Sequence, residues 1–138
     1  MIQDEEQLGL SSLSSQTFGK LDSLRANADE ENELAFATKD NFPVTKDHHL
    51  VIPKRHVSDY FDLNQSEINL INKILFSVKQ KLEKKDKSIT GFNIGINSGK
   101  SAGQTIFHCH IHLIPRRDGD ANNPEGGVRG VIPNKQNY

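Results

Sequence analysis

Three histidines stand at alternate positions in the segment Thr105–Ile114, TIFHCHIHLI: His108, His110 and His112. Successive side chains of a β-strand point to opposite faces, so on a strand the three imidazoles share one face, about 6–7 Å apart. The other face reads Phe107, Cys109, Ile111 and Leu113, which is apolar throughout and calls for a core. Half of the chain's six histidines fall within these five residues, so the clustering is itself a signal. Near neutral pH imidazole is a nucleophile, a general acid or base, and a metal ligand. Three chemistries therefore fit the spacing: a zinc site completed by a distant ligand, covalent catalysis by one histidine with the others managing protons and charge, and a structural or pH-sensing cluster.

The neighbours tilt this choice. Gly99-Lys-Ser-Ala-Gly103, Gln104 and Thr105 precede the cluster, and Arg116, Arg117 and Asp118-Gly119-Asp120 follow it. Small residues, backbone N–H groups and neutral donors without clustered carboxylates suit an anion such as phosphate better than a free divalent metal. A magnesium-dependent nuclease needs grouped acids, which this stretch lacks.

The remaining sequence must supply elements to hold this strand. Residues 1–16 are polar and Ser-rich and read as a mobile arm. Phe18, Leu21 and Leu24 recur at helical spacing and predict a short helix near 17–27. Residues 33–38 (ELAFAT) predict a short strand, Asp40-Asn-Phe-Pro43 a turn, and His49–Pro53 (HLVIP) a buried strand. A long helix starts at Asn64, whose side chain can cap while Glu67 reaches back; Ile68, Ile71, Leu75, Val78 and Leu82 form its apolar stripe to about Lys85. Residues 89–97 (ITGFNIGIN) alternate Phe92, Ile94 and Ile96 against Gly91, Asn93, Gly95 and Asn97, a strand with a bare second face that a ligand or another backbone can approach closely. After Pro115 the chain reads as loop, with a glycine-rich Gly126-Gly-Val-Arg-Gly130 that suits either a phosphate cradle or an ordered surface loop. The expected fold class is α+β: one domain, an antiparallel sheet of about five strands, one long and one short helix. The expected division is an arm over 1–16, a domain over 17–120 and a tail over 121–138 that completes the site or a dimer.

Composition bounds the function classes. With 138 residues the chain suits one domain with a real core. Its 17 basic and 18 acidic residues give a net charge of −1, which offers no global attraction for nucleic acid or an anionic membrane. No apolar stretch approaches the ~20 residues that span a bilayer. The polar first residues do not read as a secretory signal, so a cytoplasmic location is expected. The single Cys109 excludes an intramolecular disulfide and reads as a small core residue.

Residues 103–120, GQTIFHCHIHLIPRRDGD, resemble the signature of the histidine triad superfamily. Asp40-Asn-Phe-Pro43, the run His48-His-Leu-Val-Ile-Pro-Lys-Arg-His56, and Asn97-Ser98 match the family's first half in order and spacing, so the resemblance covers roughly residues 33–120. It implies a homodimeric α+β protein with a HIT-like domain that releases a nucleoside monophosphate from a phosphoanhydride or phosphoramidate, with dinucleoside polyphosphates among the candidate substrates. It implies His110 as the nucleophile that forms a nucleotidyl intermediate, His112 as its charge-stabilising neighbour, the His108 carbonyl as the hold on the nucleophile's other nitrogen, and His48 as an upstream buttress. Asp40 matches the ribose-binding position, and Asn97, Gly103, Gln104 and Thr105 match phosphate or leaving-group contacts. His48 has His49 beside it, and a slip of one residue exchanges them.

The chain also departs from the family. Many bacterial relatives bind a structural zinc with a Cys-x-x-Cys, the histidine of the PKRH run and the first triad histidine. Here only Cys109 is present, so no such zinc is expected on His56 and His108. No cofactor is expected for the chemistry, although a divalent cation can arrive with the substrate. The retained His112 favours hydrolysis over transfer to a sugar phosphate. A nucleotide- or partner-binding module with negligible turnover, and a zinc site built on the triad, remain the alternatives.

Overall fold

The computed structural model describes residues 15–138, with side chains from residue 21 onward. Helix α1 is Ser15–Ala26; the strands are β1 (Glu30–Glu31), β2 (Ala35–Lys39), β3 (His49–Pro53), β4 (Ile89–Gly95) and β5 (Ile111–Arg117); helix α2 is Gln65–Lys85. The strands form one antiparallel sheet in the order β1-β2-β3-β5-β4. This is the α+β architecture expected, with one long and one short helix. Most of the expected N-terminal arm lies outside the described residues; Ser15 and Gln16 are already helical. No helix among the described residues is long and apolar enough to cross a membrane.

Helix α2 begins where its sequence signals. The Asn64 side chain accepts from the Glu67 backbone N–H at 2.8 Å, and a Glu67 carboxylate oxygen accepts from the Asn64 N–H at 3.0 Å. This reciprocal box satisfies two N–H groups that the first helical turn leaves without partners. Glu67 is buried, and Arg55 closes on both its oxygens at 2.8 and 3.0 Å, so the charge inside is compensated. Ile71, Ile74, Leu75, Val78 and Leu82 are buried against Ala35, Ala37, Val51, Ile111 and Leu113 of the sheet. The other face of the sheet packs Phe36, Leu50 and Ile52 with Leu21 of α1 and Ile106. Strand β3 is thus covered on both sides, which explains its unbroken apolar run.

The histidine segment departs from the expected strand over 105–114. Regular pairing begins only at Ile111, so His112 lies in β5 whereas His108 and His110 precede it in irregular backbone. The strand also runs past Pro115 to Arg117. Proline is tolerated there because a residue's N and C=O point to the same neighbour in an antiparallel ladder. The Pro115 carbonyl accepts from the Thr45 hydroxyl at 2.8 Å, on the side where pairing to β3 has already ended at Leu113. The missing N–H therefore faces a loop and costs the β4 ladder nothing.

Candidate active site

Alternation places Cys109, Ile111 and Leu113 in the core beneath α2. His110 and His112 come to the opposite face, with their rings edge-to-face and centroids 5.4 Å apart. His112 sits between Leu50 of β3 and Gly95 of β4.

Hydrogen-bond partners that can act in only one sense determine which ring nitrogen carries each proton. The His108 carbonyl lies 2.8 Å from Nδ1 of His110. A carbonyl only accepts, so the His110 proton is on Nδ1 and its lone pair is on Nε2. The Val44 backbone N–H lies 3.1 Å from Nδ1 of His48 and only donates, so His48 carries its proton on Nε2. That Nε2 lies 2.9 Å from Nδ1 of His112 and 3.5 Å from an Asp40 carboxylate oxygen. His48 therefore donates to His112, whose own proton falls on Nε2. Asp40 is itself buried, and its second oxygen accepts from the Phe42 N–H at 2.9 Å.

His108 takes its place in a third chain. Its Nε2 donates to the Pro53 carbonyl at 2.9 Å, and its Nδ1 lies 3.0 Å from Nδ1 of His56. The lone pair on His108 thus accepts a hydrogen bond from the His56 N–H. Burial holds the His108 imidazole down at about 4, against the opposing pull of the Pro53 carbonyl. Burial also lowers His48, partly offset by the Asp40 charge. Both rings are therefore neutral at pH 7. The Cys109 thiol is pushed up to about 12 by the same cause, as suits a buried core residue.

Among the described residues one set of three side chains is close enough to hold a metal ion: Asp40, His48 and His112, with ligand atoms within 4.8 Å of one another. The set does not fit a cation well. His48 would have to lose its Nε2 proton while Nδ1 still accepts from Val44, leaving an imidazolate. His56 and His108 bring two nitrogens together but belong to no set of three among the described residues, and the buried Cys109 thiol stays protonated.

The structure brings His48, His110, His112 and Asp40 to one place, with the His108 carbonyl behind them. His49 points the other way, bonded to the Asp47 carbonyl and the Asp29 carboxylate at 2.6 Å each. Asn97 follows β4 two residues beyond Gly95 and is half-buried, as is Thr105. Gly103 closes the short turn Lys100–Ala102 in the left-handed region at φ 98°, and its N–H bonds the Lys100 carbonyl at 3.0 Å. Gln104, expected as a substrate contact, holds the loop ahead of the histidines together. It is 3 % exposed, and its amide is spent on the Gly99 N–H and the Ser58 and Ile106 carbonyls at 2.9, 2.7 and 3.2 Å. Arg116 and Arg117 pair with Asp120 and Asp86. The sequence reading missed the Val44 N–H and the Pro53 carbonyl, because a backbone atom's target leaves no trace in residue type. The His56 bond to His108 was also missed, since only a contact across 52 positions creates it.

Residues 25–119 match the family model of the HIT domain. An uncharacterized HIT-like protein of Mycoplasma genitalium is 40 % identical over 86 residues, 62 % of this chain and 60 % of that protein. The asymmetrical bis(5'-nucleosyl)-tetraphosphatase of Schizosaccharomyces pombe is 42 % identical over 78 residues, 56 % of this chain and 42 % of that enzyme. A crystal structure of a HIT family protein from Bacillus anthracis superposes with a TM-score of 0.64 at 37 % identity, covering 68 % of this chain and 66 % of that one. The chain spans about three-fifths of the length of several curated relatives that it matches.

Proposed function

The chain belongs to the HIT domain family, and on that premise we propose that it is a nucleotide hydrolase cleaving a phosphoanhydride at the α-phosphate, with dinucleoside polyphosphates as the substrate class. The observation that carries this reading is the 2.8 Å bond from His110 Nδ1 to the His108 carbonyl. It directs the nucleophilic lone pair to Nε2, on a residue that is 8 % exposed beside His112. The name of the fission yeast tetraphosphatase supports the choice of substrate class.

In the first step the Nε2 lone pair of His110 bonds to the α-phosphorus and the bond from phosphorus to the bridging oxygen breaks. The leaving group departs with the bond pair as a phosphate anion. The phosphoimidazolium left behind carries positive charge, and the His108 carbonyl accepts a stronger hydrogen bond from its Nδ1–H. His112 donates Nε2–H to an oxygen of the transferring group, oriented by His48. In the second step water bonds to phosphorus, the N–P bond breaks with its pair returning to Nε2, and the water proton passes to solvent. Asp40 is placed to accept from ribose hydroxyls, with Asn97, Gly103 and Thr105 as phosphate or leaving-group contacts. No resident metal is required; a divalent cation accompanies the polyphosphate. A P–N substrate shares the first step but needs a proton for its amine.

A homodimer is part of the proposal. Strand β4 is a sheet edge whose Ile94 is 55 % exposed, and an open apolar edge favours pairing. Light scattering that gives a monomer at working concentration overturns this part.

The test of function is AMP release from diadenosine tetraphosphate in a chelator, followed by chromatography, for the wild type and for His110→Ala. Release by the wild type and loss in a variant of unchanged circular dichroism is the expected result. Full activity in His110→Ala overturns the mechanism. Tight AMP binding without release replaces the enzyme with a binding module. Activity lost to the chelator and restored by zinc replaces it with a zinc enzyme.

A further inference from the structure

On the face that carries His110 and His112, the sheet is asymmetric. Toward β3 lie His48, Asp40 and the apolar Leu50. Toward β4 the residue beside His112 is Gly95, where a Cβ would meet nothing within 4 Å. Two pairs further along, and so on the same face, Asn93 stands across from Ile114, and two pairs beyond that Gly91 stands across from Arg116. Asn93, Ile114 and Arg116 of this stretch also line a cavity of about 340 Å³ between the sheet and the tail, with Pro124, Val128 and Gln136 among its other walls. The volume is that of a small-molecule site.

The tail wall is a built structure. The Gln136 side-chain amide donates to the Asn123 and Glu125 carbonyls at 2.9 and 3.0 Å, and Asn123 donates to Asn137 at 2.9 Å. Gly126, at φ +88°, sits where a Cβ would overlap the Gln136 carbonyl, so this clasp requires glycine there. The Gly127–Val131 turn then rests on β4, with the Asn93 amide nitrogen 3.5 Å from where a Gly127 Cβ would lie.

The chemistry of the lining selects its guest. Among the described residues Arg116 is the one charged side chain lining the cavity, and its charge is spent. It donates to both Asp120 oxygens at 2.9 and 2.8 Å and to Asn93 at 2.7 Å. The last bond uses the Asn93 oxygen, so Asn93 offers its amide N–H group as donor. Amides and apolar surface without free cationic charge suit a neutral heterocycle better than a bare phosphate.

We propose that this tail-walled cavity is a leaving-group subsite that receives the second nucleoside of a dinucleoside polyphosphate, with His110 and His112 between it and the Asp40 end. The inference rests on the proposed function and names the substrate class of that same site. The test compares kcat/KM for diadenosine tetraphosphate with that for adenosine 5'-phosphosulfate, whose leaving group is only sulfate. The variants are Val128→Trp, which fills the cavity from a residue 63 % exposed, and Asn93→Ala, which removes the donor. In each the ratio of the two values falls at least tenfold against the dinucleotide. A ratio within twofold of the wild type in both variants overturns the subsite while the proposed hydrolysis stands. A wild type that releases AMP from neither substrate overturns the proposed function and the subsite with it.

Discussion

Acidification should weaken this fold through one buried imidazole. His108 is 1 % exposed, and burial lowers it from the ordinary histidine value of 6.5 to about 4. Between those values the unfolded chain binds a proton that the folded chain refuses, so stability rises with pH there. The contribution is fully present above pH 6.5 and is lost as pH falls through about 4. At 1.36 kcal/mol per pKa unit the total is about 3 kcal/mol, of which roughly 2 kcal/mol is lost between pH 7 and pH 5. This is a large share of a domain's usual ~5–15 kcal/mol. His48 is lowered too and pushes the same way, so the wild-type slope alone does not isolate His108. The assay is urea unfolding at fixed ionic strength at several pH values from 7 to 4.5, for the wild type and His108→Asn. The variant should start less stable at pH 7 and lose roughly 2 kcal/mol less on going to pH 5. Parallel stability curves refute the assignment of the buried proton affinity to His108. Should the variant not fold, the ring of His108 in the wild type can be titrated directly by NMR. An apparent value near 6.5 refutes the same reasoning.

His48→Phe removes the donor that sets the His112 tautomer, so kcat/KM of the folded fraction should fall about tenfold, a loss of ~1.4 kcal/mol. His49→Phe should do the reverse. It strands the buried Asp47 carbonyl, while the exposed Asp29 carboxylate regains water; the cost is about 1–3 kcal/mol of stability, and the folded fraction stays active. Steady-state kinetics beside thermal melts distinguishes the two. Cys109 should resist a thiol reagent in the native protein and react once urea unfolds it, because its thiol is buried and pushed up to about 12; rapid native labelling contradicts this. Gly126→Ala should open the tail without unfolding the sheet, read as faster proteolysis within residues 121–138 at an unchanged main melting transition.

Much of this protein is legible along the chain because its signals are local. The Asn64–Glu67 box spans four residues, the period of α2 repeats within 21, and the HLVIP run declares a strand buried on both faces. The triad spacing, with Asp40 and His48 upstream, marks the site for the same reason: residue types at fixed separations restrict the chemistry they can do. Local signals do not carry distance between remote segments. Ile74, which the stripe omitted, is buried because it shares the sheet-facing side of the helix with Ile71 and Val78. The strand passes through Pro115 because a loop 70 positions away takes its carbonyl. Gln104 clasps its loop because three backbone groups converge on its amide, a convergence that residue type does not announce.

The sequence by itself determined the fold class and the set of side chains that can react, since composition, periodicity and spacing are properties of a chain. Only the tertiary structure decided which of His48 and His49 faces the site, which nitrogen of each imidazole holds the proton, and that the tail walls a cavity beside them. Those facts depend on directional hydrogen bonds from the Val44 N–H and from the His108 and Pro53 carbonyls, and folding alone brings such partners within 3 Å or so of their targets.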